Sequence, residues 1–417
     1  MKKLKTTFKW LAIVGGVLLS LALIVFAFLN WRAGVCLEQQ LRPLREAGEP
    51  ITIADLAPPP VPPERNALTY LRRAEKTVLA MNQELSPLRD KPEDYYERGR
   101  LNERGVDLVE ATLNSYPDVF PLIQQAADAP EYVSDQDYTL PPPAFLDPYL
   151  QKVQLSRAFA RLLQWRADLL LARHEREASL RNGLVLLRLD RHFQKEPMLV
   201  AYLVAVAVQS MAVEQIVSAL EDGPLAPELH HQVDAEISRH LASRAFVSAI
   251  ESDRAYGIDS FRVFRKFGVP WTFKQDECDY LKRMAKEIEI GASPRYQSEK
   301  AVAQMNADTQ GAGPLTMHML PALEAAREAQ QRSRTRLQCL SVLNALTQHD
   351  NEGTAAAALD DLNLPDDIKL DPYNGQPLKV KRLESGWLVY SVGPNLKDDG
   401  GKIEKSEDVG VGPGAAK

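Results

Sequence analysis

Cysteine is scarce in this chain of 417 residues, and the common catalytic motifs are absent. Its three cysteines, Cys36, Cys278 and Cys339, are too few for a disulfide framework and show no C-x-x-C spacing. One bridge, between Cys278 and Cys339, is compatible with an oxidising compartment. The chain contains no H-E-x-x-H, G-x-S-x-G, Walker or G-x-G-x-x-G sequence, which excludes the commonest hydrolase and nucleotide-binding signatures.

Positive charge is also in deficit. The chain has 50 basic and 56 acidic residues, and only 46 of the basic ones lie outside the N-terminal lysine group described below. This balance argues against a general nucleic-acid binder or a general binder of anionic lipid. No N-x-S/T sequon occurs, which fits a bacterial envelope protein better than a eukaryotic secreted one.

The most informative feature that is present in the sequence is an uncharged apolar run from Trp10 to Leu29. Twenty helical residues span about 30 Å, the thickness of the hydrocarbon core of a bilayer. Four lysines precede the run: Lys2, Lys3, Lys5 and Lys9. Because basic residues remain on the cytoplasmic side, we predict a single-pass protein of the bacterial inner membrane with its N-terminus in the cytoplasm. Bulky residues stand where a signal peptidase needs small ones, so we expect an uncleaved anchor and a periplasmic bulk.

The rest of the chain divides by composition into a proline-rich stalk, a helical region, a C-terminal module and a tail. The segment Ala57–Pro63 is polyproline-like and predicts a stiff spacer above the membrane. The predicted divisions are a cytoplasmic stub (1–9), a transmembrane helix (10–31), the stalk (32–63), an α-helical domain (64–336), the C-terminal module (337–404) and a disordered tail (405–417).

Residues 64–336 show helical spacing of apolar residues. The pattern predicts helices over Val119–Ala127 and Arg176–Phe193, among others, with short connections that imply antiparallel neighbours. The fold class is therefore mainly α, either an open helical-hairpin array or a closed bundle. The apolar run Met198–Val208 is too short for a second membrane span and predicts a buried central helix.

Residues 362–401 have a different pattern. Asp371-Pro372-Tyr373-Asn374-Gly375-Gln376-Pro377 precedes two short strands, Leu378–Leu383 and Trp387–Val392, and Asp398-Asp399-Gly400-Gly401 follows. This combination resembles the C-terminal segment of type II secretion major pseudopilins, and also the tail of bacterial single-pass membrane proteins that have a long helical region. The likeness covers about a tenth of the chain.

The resemblance implies a small antiparallel β-hairpin packed on the helix around Leu337, Leu340 and Leu343. It also implies a calcium-binding loop. The oxygen donors that calcium would use there are Ser391, Asn395, Asp398 and Asp399. The N-terminus departs from the pseudopilin pattern because it lacks the leader glycine and the glutamate that follows it. Assembly into a pilus-like filament is therefore not expected.

Several other groups of residues are candidates for chemistry or binding. Glu236 and His240 lie one helical turn apart, as a Glu-plus-His metal pair requires. The segments 190–192 and 251–254 carry charges that either line a groove, near His192 and Asp253, or form a solvated helix face. Five aromatic residues crowd one short stretch and predict either a binding surface or a loop pinned into the core: Phe261, Phe264, Phe267, Trp271 and Phe273.

The sequence thus favours a membrane-anchored extracytoplasmic module that binds an unidentified protein partner and has no catalytic activity, since helical arrays present concave surfaces to other proteins. Two alternatives remain. The C-terminal resemblance favours an accessory component of a type II secretion or pilus-like system. The charged groove residues favour an unrecognised envelope enzyme. Besides calcium, no cofactor is expected.

Overall fold

The computed structural model describes residues 2–221, 223–291, 293–308, 311–351, 359–403 and 408–413. The longer helices are α1 (Lys2–Ala47), α2 (Ala67–Glu84), α5 (Glu103–Ser115), α6 (Val119–Asp128), α7 (Pro142–Ala172), α8 (Arg176–Phe193), α9 (Leu199–Glu221), α10 (Pro227–Leu241), α11 (Ala245–Phe264), α12 (Pro270–Ile290), α13 (Arg295–Asp308) and α14 (Pro314–Asn351). The short helices are α3 (Ser86–Asp90), α4 (Pro92–Tyr95) and α15 (Asp366–Lys369). The strands are β1 (Tyr96–Glu97), β2 (Arg100–Leu101), β3 (Lys379–Leu383), β4 (Gly386–Ser391) and β5 (Val409–Val411).

The predicted mainly α class is confirmed, and helix α9 lies at the centre of the fold. It contacts α7, α8, α11 and α14. Since α9 is apolar on nearly all sides, only a position among other helices removes its surface from water. In the described part of the chain, α1 and α9 are the two helices long and apolar enough to cross a membrane. The apolar window of α9 is 61% buried in the protein, whereas that of α1 is not buried at all.

Helix α1 is longer than the apolar run predicts and joins the folded domain. It continues without a break to Ala47, and its last turns pack along α12. Ala33, Leu37 and Leu41 are buried in this contact. Their spacing of four residues places them on one face of the helix, which explains why the helix extends past the apolar run. The stalk predicted over residues 32–63 is therefore wrong in its first half.

The second half of the predicted stalk also lies against the domain. Arg254 of α11, only 2% exposed, forms an ion pair of 2.6 Å with Glu49. The backbone N–H of Ile53 donates a hydrogen bond of 2.7 Å to Asp259, and the Ile53 side chain is buried. These contacts connect residues 49–53 to α11, so the chain cannot act as a spacer along this stretch.

The disulfide bond joins a different pair of cysteines from the one that the sequence left open. Cys36 of α1 bonds to Cys278 of α12, with their Cα atoms 6.0 Å apart. Cys339 is free and buried in α14, with its thiol directed at the carbonyl oxygen of Val409 in β5. The Cys278–Cys339 bridge that the sequence left open is not formed, because packing of α1 on α12 brings Cys36, 242 residues away, next to Cys278.

The C-terminal strands form a sheet of three strands rather than a hairpin. The strand order is β3-β4-β5, and both pairings are antiparallel. The third strand, Val409–Val411, lies in the segment predicted to be a disordered tail, and its valines are buried against the sheet and α14. Residues 405–407 and 414–417 of that predicted tail lie outside the described residues.

The predicted boundary at residue 337 falls inside a single helix. Helix α14 begins at Pro314 and continues to Asn351. Leu337, Leu340 and Leu343 belong to the same buried apolar cluster as Val389 of β4 and the core helices of the domain. The sheet and the helical region therefore share one apolar core and are not separate folding units.

We expect digestion of the oxidised full-length protein to release a peptide containing Cys36 linked to one containing Cys278. Replacing Cys36 with serine should remove that species and lower the free energy of unfolding by about 2–4 kcal/mol, because the bond constrains the unfolded chain. Non-reducing mass spectrometry and urea unfolding would measure both effects.

Replacing Cys339 with alanine is the matched control. It should leave the linked peptide in place. A peptide linking Cys278 to Cys339 in the wild-type protein would contradict the structure.

Candidate functional site

An open cleft of about 480 Å³ lies where the ends of three helices meet. Its walls come from the end of α8 with residues 194–197, from the end of α10, from the start of α11 and from residues 132–138, and Leu56 and Pro58 form part of its edge. The proline-rich segment predicted to be a spacer thus helps to shape this cleft. Because side chains of four elements converge there, the cleft is the candidate binding site of the domain.

The cleft is lined by four cationic side chains: Arg191, Lys195, Arg239 and Arg244. The guanidinium of Arg244 lies 3.8 Å from Glu251, and its side chain is 76% exposed. The ammonium of Lys195 forms no ion pair with any residue that the structure describes, and the side chain is exposed. Burial and the nearby Arg191 lower the pKa of Lys195, while Glu131 opposes them.

Glu236 of α10 holds two of these cations in place. Its carboxylate is 1% exposed and accepts hydrogen bonds from Arg191 at 2.5 Å and from Arg239 at 2.9 Å. Arg188 lies 3.8 Å away on the same side. One buried carboxylate therefore faces three guanidinium groups. Positive charge remains in excess beside the cleft, which favours a ligand that carries negative charge.

Beneath the cleft, Asp190 of α8 and His240 of α10 form a buried pair. The Asp190 Oδ2 atom lies 3.3 Å from His240 Nε2, and Gln194 donates a hydrogen bond of 2.6 Å to the same oxygen. Burial raises the pKa of Asp190, and contact with His240 opposes this shift. His240 Nδ1 lies 2.9 Å from the backbone oxygen of Glu236, so this nitrogen carries a proton that it donates to the carbonyl.

Glu236 and His240, whose spacing in the sequence allows a metal site, lie together with Asp190 but have other partners. The carboxylate of Glu236 faces Arg191 and Arg239. Within the described ranges, no group of three or more His, Cys, Asp or Glu side chains is placed to hold a metal ion. These side chains form a buried network of charged groups that joins α8 to α10.

His192 and Asp253, named as candidates for a charged groove, do not line the cleft. His192 is buried, its ring stacks on Tyr132, and burial lowers its pKa to about 4, so the imidazole is neutral at pH 7. Asp253 instead accepts a hydrogen bond of 2.8 Å from the backbone N–H of Leu199 at the start of α9. Burial raises the pKa of Asp253 to about 6.

Glu196 is a residue of the cleft that the sequence analysis missed. It lines the cleft, is 6% exposed, and accepts hydrogen bonds from the hydroxyls of Tyr132 and Ser134. Burial raises the pKa of its carboxyl. In the sequence, Glu196 belongs to Glu196-Pro197, a pattern that predicts the start of a helix. That pattern gives no information about hydrogen-bond partners from residues 132–134.

The predicted calcium ligands occupy one loop but do not all face the same point. Ser391 is buried, and its hydroxyl donates a hydrogen bond of 2.7 Å to Asp371. The amide of Asn395 donates to Asp399 at 2.6 Å. Asp398 accepts from the hydroxyl of Tyr390 at 3.0 Å. The calcium site therefore stays a prediction, with Ser391 turned toward Asp371.

Asp371 and Asp408 organise this loop, and neither was singled out as a candidate ligand. Asp371, 1% exposed, also accepts a hydrogen bond of 2.9 Å from the backbone N–H of Val392. Asp408 accepts one of 2.6 Å from the N–H of Gly401. Burial and the neighbouring Asp398 and Asp399 raise the pKa of Asp408. The raised pKa of Asp408 thus reflects three carboxylates held near one another.

Comparison with protein-family models, with curated proteins and with solved structures finds no match for this chain. The resemblance of residues 362–401 to the pseudopilin segment consequently stays a prediction.

We expect Glu236→Gln to lower the free energy of unfolding by about 1.5–3 kcal/mol, because the change removes the buried charge that accepts hydrogen bonds from partly exposed guanidinium groups. Urea unfolding followed by circular dichroism would measure it. Glu177→Gln is the matched control. Glu177 pairs with Arg181 on an exposed helix face, and its loss should cost less than about 1 kcal/mol. Equal effects of the two substitutions would contradict the role given to Glu236.

Proposed function

We propose that the protein is a membrane-anchored, extracytoplasmic binding module whose cleft accepts an acidic segment of a partner protein. The observation that supports this proposal is the cleft itself. It is open, measures about 480 Å³, and is lined by four cations gathered from three segments of the chain. Cations at the rim of a site steer an acidic partner toward it and select its orientation.

The proposed location follows from the N-terminal part of the chain. The apolar window of α1 is long enough to cross a bilayer, and four lysines precede it. In our proposal those lysines remain in the cytoplasm and the domain lies on the other side. The Cys36–Cys278 bond supports this orientation, because structural disulfides persist in oxidising compartments such as the bacterial periplasm.

The geometry favours binding over catalysis as the proposed role. Asp190 and His240 are both buried, and neither lines the large cleft. Among the described residues, the one carboxylate that lines it, Glu196, is buried and already accepts hydrogen bonds from Tyr132 and Ser134. An envelope enzyme remains the second alternative, and its candidate groups are the Glu196–Ser134 contact in the cleft and the buried Asp190–His240 pair.

The test is photocrosslinking in living cells from a photoreactive amino acid placed at Ser248, which is exposed and lines the cleft. We expect an adduct with one partner protein. The double substitution Lys195→Glu with Arg244→Glu should reduce its yield by about tenfold or more, since the like charges would repel an acidic segment. Both side chains are exposed, so the buried Glu236 network remains intact.

The matched control reverses two exposed cations of α2, Arg73→Glu with Lys76→Glu, which lie outside the cleft. This variant should give the wild-type yield. An adduct that survives reversal of the cleft charges, or one lost equally in the control, would contradict binding through this cleft.

We propose as a second role that the C-terminal sheet supports a calcium-binding loop in a component of a secretion or pilus-like system. Its support is the packing of β4 and β5 on α14 and the three neighbouring carboxylates Asp398, Asp399 and Asp408. Hard oxygen donors of this kind are those that calcium prefers.

We expect millimolar calcium to raise the melting temperature of the full-length protein relative to EDTA, because a ligand that binds only the folded state stabilises it. Asp398→Ala with Asp399→Ala should abolish the difference. Asp366→Ala, whose side chain is 98% exposed in its pair with Lys369, is the control and should retain it. No calcium effect on the wild-type protein would remove this second role.

A further inference from the structure

The turn between α11 and α12 exposes an unusual amount of apolar surface. Phe267 is 82% exposed, the largest value for any large apolar side chain that the structure describes. Phe264 and Val269 beside it are 44% and 48% exposed. Of the crowded aromatics noted in the sequence, Phe261 is buried in the core, while Trp271 and Phe273 are partly buried. The stretch therefore has a core half and an exposed half.

Contacts within the turn hold the side chains of this exposed half away from the core. A side chain at Gly268 would collide with the ring of Phe273, so the turn lies directly on that ring. The backbone N–H of Phe267 donates a hydrogen bond of 2.9 Å to the carbonyl of Phe264, which closes the turn. Phe267 is thus presented to the surroundings by an ordered turn.

Helices α1 and α12 run parallel, which places this turn next to the apolar run. The ammonium of Lys274 donates a hydrogen bond of 2.9 Å to the side chain of Asn30, and one turn later Cys278 bonds to Cys36. From the first contact to the second, the residue number increases in both helices, so the two helices run in the same direction. Residues before Lys274 therefore lie level with residues before Asn30, where the apolar run ends.

The distance along the axis can be read from the helical rise. Pro270, the first residue of α12, lies four residues before Lys274, or about 6 Å along the axis. That level corresponds to the last turn of the apolar run, at Phe26 by the Lys274–Asn30 contact and at Phe28 by the Cys278–Cys36 bond. Trp31, which is 65% exposed, lies three to five residues further on, or about 5–8 Å along the axis.

The charge of the turn suits a lipid surface. Residues 260–275 contain four cations, of which Arg262 pairs with Asp259 and Arg265 with Glu277. The other two, Lys266 and Lys274, form no ion pair with a residue that the structure describes and give the turn its positive charge. Aromatic rings flanked by basic side chains are the composition that lies at the boundary between lipid head groups and acyl chains. The domain as a whole is acidic, so this basic and apolar patch is a local exception to its charge.

We propose that the α11–α12 turn, residues 264–269, inserts into the head-group region of the bilayer that α1 crosses, as a second membrane contact of the folded domain. This inference rests on the proposed membrane crossing of α1. The turn and α1 together fix the rotation and tilt of the domain above the membrane, and with them the height of the basic cleft.

The test uses the full-length protein in vesicles of phosphatidylethanolamine and phosphatidylglycerol. An environment-sensitive fluorescent amino acid replaces Phe267, which avoids adding a thiol near the disulfide bond. We expect its emission to shift to the blue, to be quenched by lipids that carry a nitroxide near the head group, and to lose quenching by aqueous iodide.

The same probe in place of Leu79 is the matched control, because Leu79 is 48% exposed on α2 and is not part of the turn. It should be quenched by iodide and not by lipid. A third protein carries the probe at Phe264, in case the change at Phe267 disturbs folding. Loss of the Cys36–Cys278 bond would show that a variant has not folded.

Probes at Phe267 and Phe264 that behave like the probe at Leu79 would overturn the inference. Shielding of both from iodide and from lipid alike would indicate a protein contact on this turn, and would overturn it as well. Alkaline carbonate extraction separates these failures from failure of the proposed anchor. A protein released by carbonate would show that α1 does not cross the bilayer, whereas a retained protein with water-exposed probes would disprove only the second contact.

Discussion

The junction of α1 with α12 is the constraint on which the arrangement of the molecule depends. Helix α1 continues without a break from the apolar run into the domain, and Leu37 and Leu41 of its last turns are buried there. The Cys36–Cys278 bond joins the two helices covalently. Since a helix is stiff over this length, the direction of the apolar run determines the direction of the domain. A flexible stalk would have removed that relation.

The basic cleft depends on a different kind of interaction, a carboxylate buried among guanidinium groups. Burying Glu236 is favourable only because Arg191 and Arg239 satisfy its charge. The same contacts hold those arginines at the wall of the cleft. In our proposal, Arg191 and Arg239 therefore have both a structural and a binding role, and a test of binding has to change the exposed cations Lys195 and Arg244 while leaving Glu236 intact.

The two proposed contacts of the domain are physically distinct. The cleft is polar and open, so it suits a charged segment that remains partly hydrated. The α11–α12 turn is apolar with basic flanks, so it suits the boundary of a bilayer. Helix α11 contributes to both, because its first residues line the cleft and the turn follows its last residue. A rigid helix between them links the position of the cleft to the membrane surface.

Local patterns in the sequence were sufficient for several of the helices and for two of the strands. The length of the apolar run, the helix Arg176–Phe193 and the strands around Trp387 follow from periodicity and turn residues, which neighbours along the chain determine. What the tertiary structure decided are contacts between distant residues. Cys36 pairs with Cys278, Val409–Val411 adds a strand, and helix ends between residues 191 and 252 form one cleft. No local period encodes these contacts, because they arise only when helices pack and bury surfaces far apart in the chain.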